Sequence, residues 1–242
     1  MKNRVILASI VAFTLVAASV KAQTIAQWTF ETAVSTNAIN SNLSPGANIT
    51  GPAVPADVGV GIANAHHTTT STYSTPAGDV DLTLAPSISS SIHSWSANGW
   101  SAGDYYQFQV STVGFTGVQV GWDQTGSNTG PRDFSLQYSL DGGATFITPG
   151  STYSLLFNSW TTSAALGNNE SQTFAGAVDN APSVIFRVVD MSTVSVNGGS
   201  IVTGGTDRVD NFTVFSPVPE PSTVALVGAG LFGMLAMRRR RS

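Results

Sequence analysis

Along the middle of the chain, hydrophobic and polar positions alternate with the period of two expected of half-buried strands. Phe134, Leu136, Tyr138 and Leu140 alternate with Asp133, Ser135, Gln137 and Ser139. Tyr106, Phe108 and Val110 repeat the pattern, as do Thr116, Val118, Val120 and Trp122. Asp141-Gly142-Gly143 supplies a turn into a strand over Ala144 to Thr148, since glycine accepts positive φ without steric cost. The run from Pro182 to Val189 is apolar on both faces apart from Arg187, as for a strand covered on both sides. Ile25 to Glu31 reads as a first strand and Arg208 to Phe215 as a last one. No segment carries the spacing of an amphipathic helix. Short strands divided by Gly, Asn and Ser clusters predict an all-β chain with a single β-sandwich domain over residues 23–216. Asn37 to Asp57 and His66 to Thr75 read as long loops within it, and few strands are expected before Tyr105.

The two ends depart from this pattern. Lys2 and Arg4 precede an apolar run from Val5 to Ala18, and Val20-Lys21-Ala22 places small residues where a signal peptidase reads. Residues 1–22 are therefore expected to be a signal peptide, with Gln23 the first mature residue. At the other end Pro219-Glu220-Pro221 precedes an uncharged stretch from Ser222 to Met237, which Arg238, Arg239, Arg240 and Arg241 close. Sixteen helical residues span about 24 Å, a short transmembrane helix against a hydrocarbon core of about 30 Å. The arginines would hold its end on the cytoplasmic side while the body lies outside. This tail, residues 217–242, resembles the PEP-CTERM sorting domain of Gram-negative, exopolysaccharide-producing bacteria. The resemblance implies an exosortase as processing partner, recognition through Pro219, Glu220 and Pro221, transient membrane insertion, and a final place at the cell surface or outside it.

Composition narrows what the body could do. The chain has 242 residues, 42% hydrophobic and 10% charged, enough apolar material for a core. Between Thr24 and Ser216 only Arg132, Arg187 and Arg208 are basic, against 13 carboxylates, which leaves the body near −10. Such a surface repels phosphate backbones and argues against nucleic acid as a partner. The chain has 0 cysteines, which removes thiol catalysis, thiolate metal sites and disulfides.

Three segments carry a second, more diffuse resemblance: Ala26 to Glu31, Asp133 to Ser139 with its Asp-Gly-Gly turn, and Val209 to Val214. They are similar to jelly-roll bodies attached to PEP-CTERM tails and to jelly-roll carbohydrate-binding modules. If the terminal strands pair as in those folds, Glu31, Asp207 and Asp210 would converge at one sheet edge and could offer oxygen ligands to Ca²⁺, the one cofactor in view. Trp95, Trp100 and Tyr105 cluster in a Gly- and Ser-rich stretch, where exposed rings could stack on a sugar; the alternative is that they are buried as loop anchors. Trp28 and Trp122 sit at alternating strand positions and read as core. His66 and His67 are adjacent, so on a strand they would face opposite sides.

No catalytic motif is present: there is no Gly-x-Ser-x-Gly elbow, phosphate loop or His-Glu-x-x-His. The reading that follows is an exported, non-enzymatic surface or matrix protein associated with exopolysaccharide. A carbohydrate-binding module is the alternative, with a secreted glycoside hydrolase behind it.

Overall fold

The computed structural model describes residues 22–30, 49–50, 53–68, 73–78, 93–155 and 168–217, all within one compact unit, Ala22–Val218. The expected signal peptide (apart from Ala22), the tail with Pro219, Glu220, Pro221 and its arginines, and Glu31 lie outside the described residues. In chain order the strands are β1 (Gln23–Trp28), β2 (Ile49–Thr50), β3 (Val54–Pro55), β4 (Val58–Gly59) and β5 (Gly61–His67). They continue with β6 (Tyr73–Gly78), β7 (His93–Ala97), β8 (Tyr105–Val110), β9 (Gln119–Gly126) and β10 (Asp133–Ser139). The last are β11 (Tyr153–Ser154), β12 (Asn168–Thr173), β13 (Val184–Asp190) and β14 (Asp207–Ser216). Among the described residues no helix is long and apolar enough to cross a membrane.

Two seven-stranded sheets form a β-sandwich. Sheet A runs β12-β9-β14-β1-β4, and sheet B runs β11-β10-β13-β8-β5, with β2 and β3 both on the far edge of β5. The long strand β14 lies at the centre of sheet A. One of its edges pairs with β9; the other pairs with β7 at Asp207 to Val209 and with β1 at Phe212 to Ser216. From β11 to β14 the chain alternates between the sheets, so few sequence neighbours pair directly and most strands meet distant ones.

The core is aromatic. Phe108 of sheet B stacks on Phe212 of sheet A with centroids 3.6 Å apart and planes 1° from parallel. Trp28, Trp122 and Phe186 surround that pair with centroids 5.9 to 6.3 Å from Phe212. Truncating one such ring to alanine typically costs about 3–5 kcal/mol, so this cluster dominates the stability of the sandwich.

The alternation predicted for β8 is present, the apolar positions predicted for β10 are buried, Arg208 to Phe215 falls within the last strand, and β13 is buried throughout except at Arg187. Three expectations need correction. Strands are numerous before Tyr105: among the described residues seven precede it, and His66 and His67 belong to β5 rather than to a loop. Its residues have weak strand propensity, but Ala63, Ala65 and His67 pack inward and hold the segment in the sheet. Leu140 is exposed because β10 ends at Ser139. Ser135 and Ser139, expected to be wet, are buried. The chain after the Asp-Gly-Gly turn folds back alongside β10: Ser139 Oγ accepts from the Gly143 amide at 2.9 Å, and Tyr138 and Ile147 exchange backbone hydrogen bonds.

Candidate functional site

Trp95 and Trp100 are 0% and 6% exposed, so neither can form a sugar platform. The Ser- and Gly-rich stretch that suggested an open loop contains β7, whose Trp95 pairs with Val209 and turns its ring inward against Tyr106 and Phe30 at 5.4 and 5.5 Å. Trp100 packs on Tyr106, Phe134 and His67, and its Nε1 donates to the Ala97 carbonyl at 2.9 Å. Of the three candidates for a glycan contact only Tyr105 reaches the surface.

The suggested calcium trio does not assemble either. Asp207 and Asp210 are an odd number of residues apart on β14, and the pleat sends them to opposite faces. Asp207 lies between the sheets. Its Oδ1 accepts from Gln124 Nε2 at 3.0 Å, while Trp122 Nε1 and the Tyr153 hydroxyl both donate to Gln124 Oε1. Asp210 stands opposite Asp123 on the outer face of sheet A, beside a bulge where Asn211 takes φ 50° and its amide donates to Asp123 at 3.0 Å. Among the described residues no group of three or more His, Asp or Glu is arranged to hold a metal ion.

The interior next to Asp207 contains further titratable groups. Asp104, fully buried, accepts from the Thr68 amide and hydroxyl at 2.8 and 3.0 Å and from the Ser101 amide at 2.7 Å. Burial still outweighs those bonds and raises its pKa. Burial also raises Asp190 to about 6 and pushes Asp207 well above its ordinary value. One oxygen of each, Asp190 Oδ2 and Asp207 Oδ2, has no hydrogen-bond partner, which suits the neutral acid. His67 Nδ1 lies 3.4 Å from Asp104, within ion-pair distance, but burial lowers its pKa to about 4. The contact is therefore between a neutral imidazole and the carboxyl at neutral pH. These groups fasten loops and fill the interior; they do not line an opening.

The other face of sheet B is accessible over β5, β8 and the middle of β13, whereas Ile185, Val189, Ser135 and Ser139 on it are buried. Where β5, β8, β13 and β10 run in register, three rows cross it: Ile62-Gln109-Ile185-Ser139, Asn64-Gln107-Arg187-Gln137 and His66-Tyr105-Val189-Ser135. His66 stacks on Tyr105 at 5.0 Å and 11°. The Arg187 guanidinium lies 3.9 Å from the Tyr105 centroid and 3.8 Å from that of Phe146, so four planar groups form a ridge. Arg187 Nε donates to Gln107 Oε1 at 2.9 Å. Planar rings beside amide side chains are the equipment of a surface that packs on C–H groups and bonds to hydroxyls.

Sequence reasoning missed His66, Phe146 and Arg187 as members of this ridge. Arg187 had a legible signal, as the one charge inside an apolar strand. The stacking of Phe146 depends on the fold-back of a loop, which no spacing reveals.

The described chain ends at Pro217, where the matched terminal segment begins: residues 217–241 fit the PEP-CTERM protein-sorting motif. The chain carries a PEP-CTERM sorting tail. The motif implies processing by an exosortase and export toward the cell surface. No curated protein matches the chain in sequence. Among solved structures, the CBM22-1 xylan-binding domain from Paenibacillus barcinonensis is similar over 84% of this chain and 100% of its own, at 8% identity and a TM-score of 0.41. The xylan-binding module CBM15 is similar over 70% of this chain and 97% of its own, at 12% identity and a TM-score of 0.40. The carbohydrate-binding module CBM36, solved with calcium and xylotriose, covers 55% of this chain and 89% of its own, at 16% identity and a TM-score of 0.30.

Proposed function

We propose that this is a non-catalytic surface or matrix protein, delivered by exosortase processing of its PEP-CTERM tail, whose β-sandwich associates with exopolysaccharide. The observation that carries the reading is the sorting motif over residues 217–241, joined directly to the last strand of the sandwich. A non-catalytic body is supported by the structural work its carboxylates do. Asp57 accepts from the Thr29 and Phe30 amides, Asp179 from the Gly117 and Val118 amides, and Asp141 from Thr145 in the turn after β10. Asp133 is held by Arg132 and Ser154, and Asp104 by Thr68 and Ser101. Association with a glycan is supported by the planar ridge and amides on the outer face of sheet B.

The sorting step is tested in an exosortase-positive host. Mass spectrometry of the mature protein should find no peptide from Leu226 to Met237. Recovery of that segment in most molecules would mean a permanent anchor and overturn the processing reading.

A further inference from the structure

We infer that the outer face of sheet B recognises a carboxylate-bearing sugar, a uronate set among neutral residues of a glycan, and that Arg187 binds its carboxylate. The inference rests on the glycan-association reading above and names the chemistry of that contact. The body has 13 carboxylates, yet none occupies any of the 12 outer-face positions in the three rows across β5, β8, β13 and β10. The accessible part of this face is β5, β8 and the middle of β13, and at its centre stands one permanent cation. Arg132, by contrast, is paired with Asp133 at 2.9 Å.

Arg187 is also held in a particular way. Its guanidinium carbon lies over both the Tyr105 and the Phe146 ring, and Gln107 takes Nε. It makes no other hydrogen bond and no ion pair among the described residues. The two terminal nitrogens therefore keep their donors, on a guanidinium held against two rings. A planar fork held this way matches a planar carboxylate through two parallel N–H···O bonds and loses little rotamer freedom on binding. Gln107, Gln109 and Asn64 surround it with amides suited to sugar hydroxyls, and Ile62, 46% exposed, adds an apolar contact. The charge of the whole body sets the spacing of the ligand's carboxylates. A domain near −10 repels a densely charged polyanion, so the favoured occupant carries isolated carboxylates separated by neutral sugars.

The test is calorimetric titration of the purified full-length protein with gellan fragments, in which neutral sugars separate the glucuronates, and with the same fragments after carboxyl reduction. Reduction should weaken binding about tenfold or more, the loss expected for a charge-assisted pair. Arg187→Ala should weaken binding of the native fragments by a similar factor and that of the reduced ones by clearly less, with tryptophan fluorescence confirming the fold. Arg187→Gln, which keeps the alkyl stem to Cδ and a polar end but removes the charge, serves as the second variant and should behave alike. Equal binding of native and reduced fragments overturns uronate recognition and leaves the glycan reading standing. Equal loss for both fragments in the variants assigns Arg187 a structural role and overturns the proposal. Binding of neither fragment overturns the proposal and the glycan reading together, while the sorting reading keeps its own test.

Discussion

The two faces of sheet B are built from neighbouring residues with opposite fates. Tyr106 is buried against Trp95 and Trp100, while Tyr105 lies outside under His66 and Arg187. His67 is buried beside Trp100, while His66, one residue earlier, lies on the surface ridge. A one-residue step through the pleat therefore changes the role of a side chain from holding the sandwich together to presenting a surface. The inner residues carry stability, and the outer ones are free to be chosen for what they touch.

Substitutions on the two sides should separate these roles. The largest effect belongs inside: Phe212→Ala removes the ring stacked on Phe108 and touching Trp28, Trp122 and Phe186, and should cost about 3–5 kcal/mol in urea unfolding. A loss below about 1 kcal/mol would mean that the aromatic cluster does not dominate the core.

Next comes the polar end of the same interior, where two groups oppose each other with pH. Asp190 has a folded pKa of about 6 against an ordinary 3.8, so between these values only the folded chain holds the proton. Its contribution to stability is present at low pH and lost as pH rises through that window. His67 has a folded pKa of about 4 against 6.5, so between those values only the unfolded chain holds the proton, and stability rises with pH. Asp190→Asn should therefore make stability rise more steeply from pH 4 to 6.5, and His67→Asn should make it fall, each by up to about 3 kcal/mol. Urea midpoints at the two pH values decide it; slopes that move in the same direction would refute the assignment.

The smallest effect belongs outside. Phe146→Ala removes one cation–π contact from a partly exposed ridge and should cost less than about 1 kcal/mol, while weakening the glycan contact by loosening Arg187. Measured unfolding with a loss as large as that of Phe212 would erase the distinction between the faces.

The architecture was largely legible. Alternation at Phe134-Leu136-Tyr138 and at Tyr106-Phe108-Val110, with the two-sided apolar run of β13, announced paired sheets. Less legible was the region before Tyr105, because strand β5 is made of Gly, Ala, Asn and His and owes its form to inward packing rather than propensity. Among candidate site residues, the aromatics left two readings open, and Trp95 and Trp100 follow the buried one. Trp95 and Trp100 sit among Ser and Gly, a composition that signals exposure, yet their large rings fill the space between the sheets where small neighbours leave room. The odd spacing of Asp207 and Asp210 already contained the answer for that pair, because any strand through both must separate them.

The central place of β14 in sheet A also dictates an order of assembly. A chain emerging N-terminus first has the main strands of sheet B, from β5 to β13, in hand once Asp190 is out. Sheet A at that moment is in pieces: β1 and β4 on one side, β9 and β12 on another, β6 and β7 apart, with nothing to join them. Among the described strands the joining one is the last made, and it ends at Ser216, immediately before the sorting motif begins at residue 217. Closure of the sandwich is thus timed by the same few residues that precede the tail, and a chain held back before Ser216 presents open sheet edges rather than a finished domain.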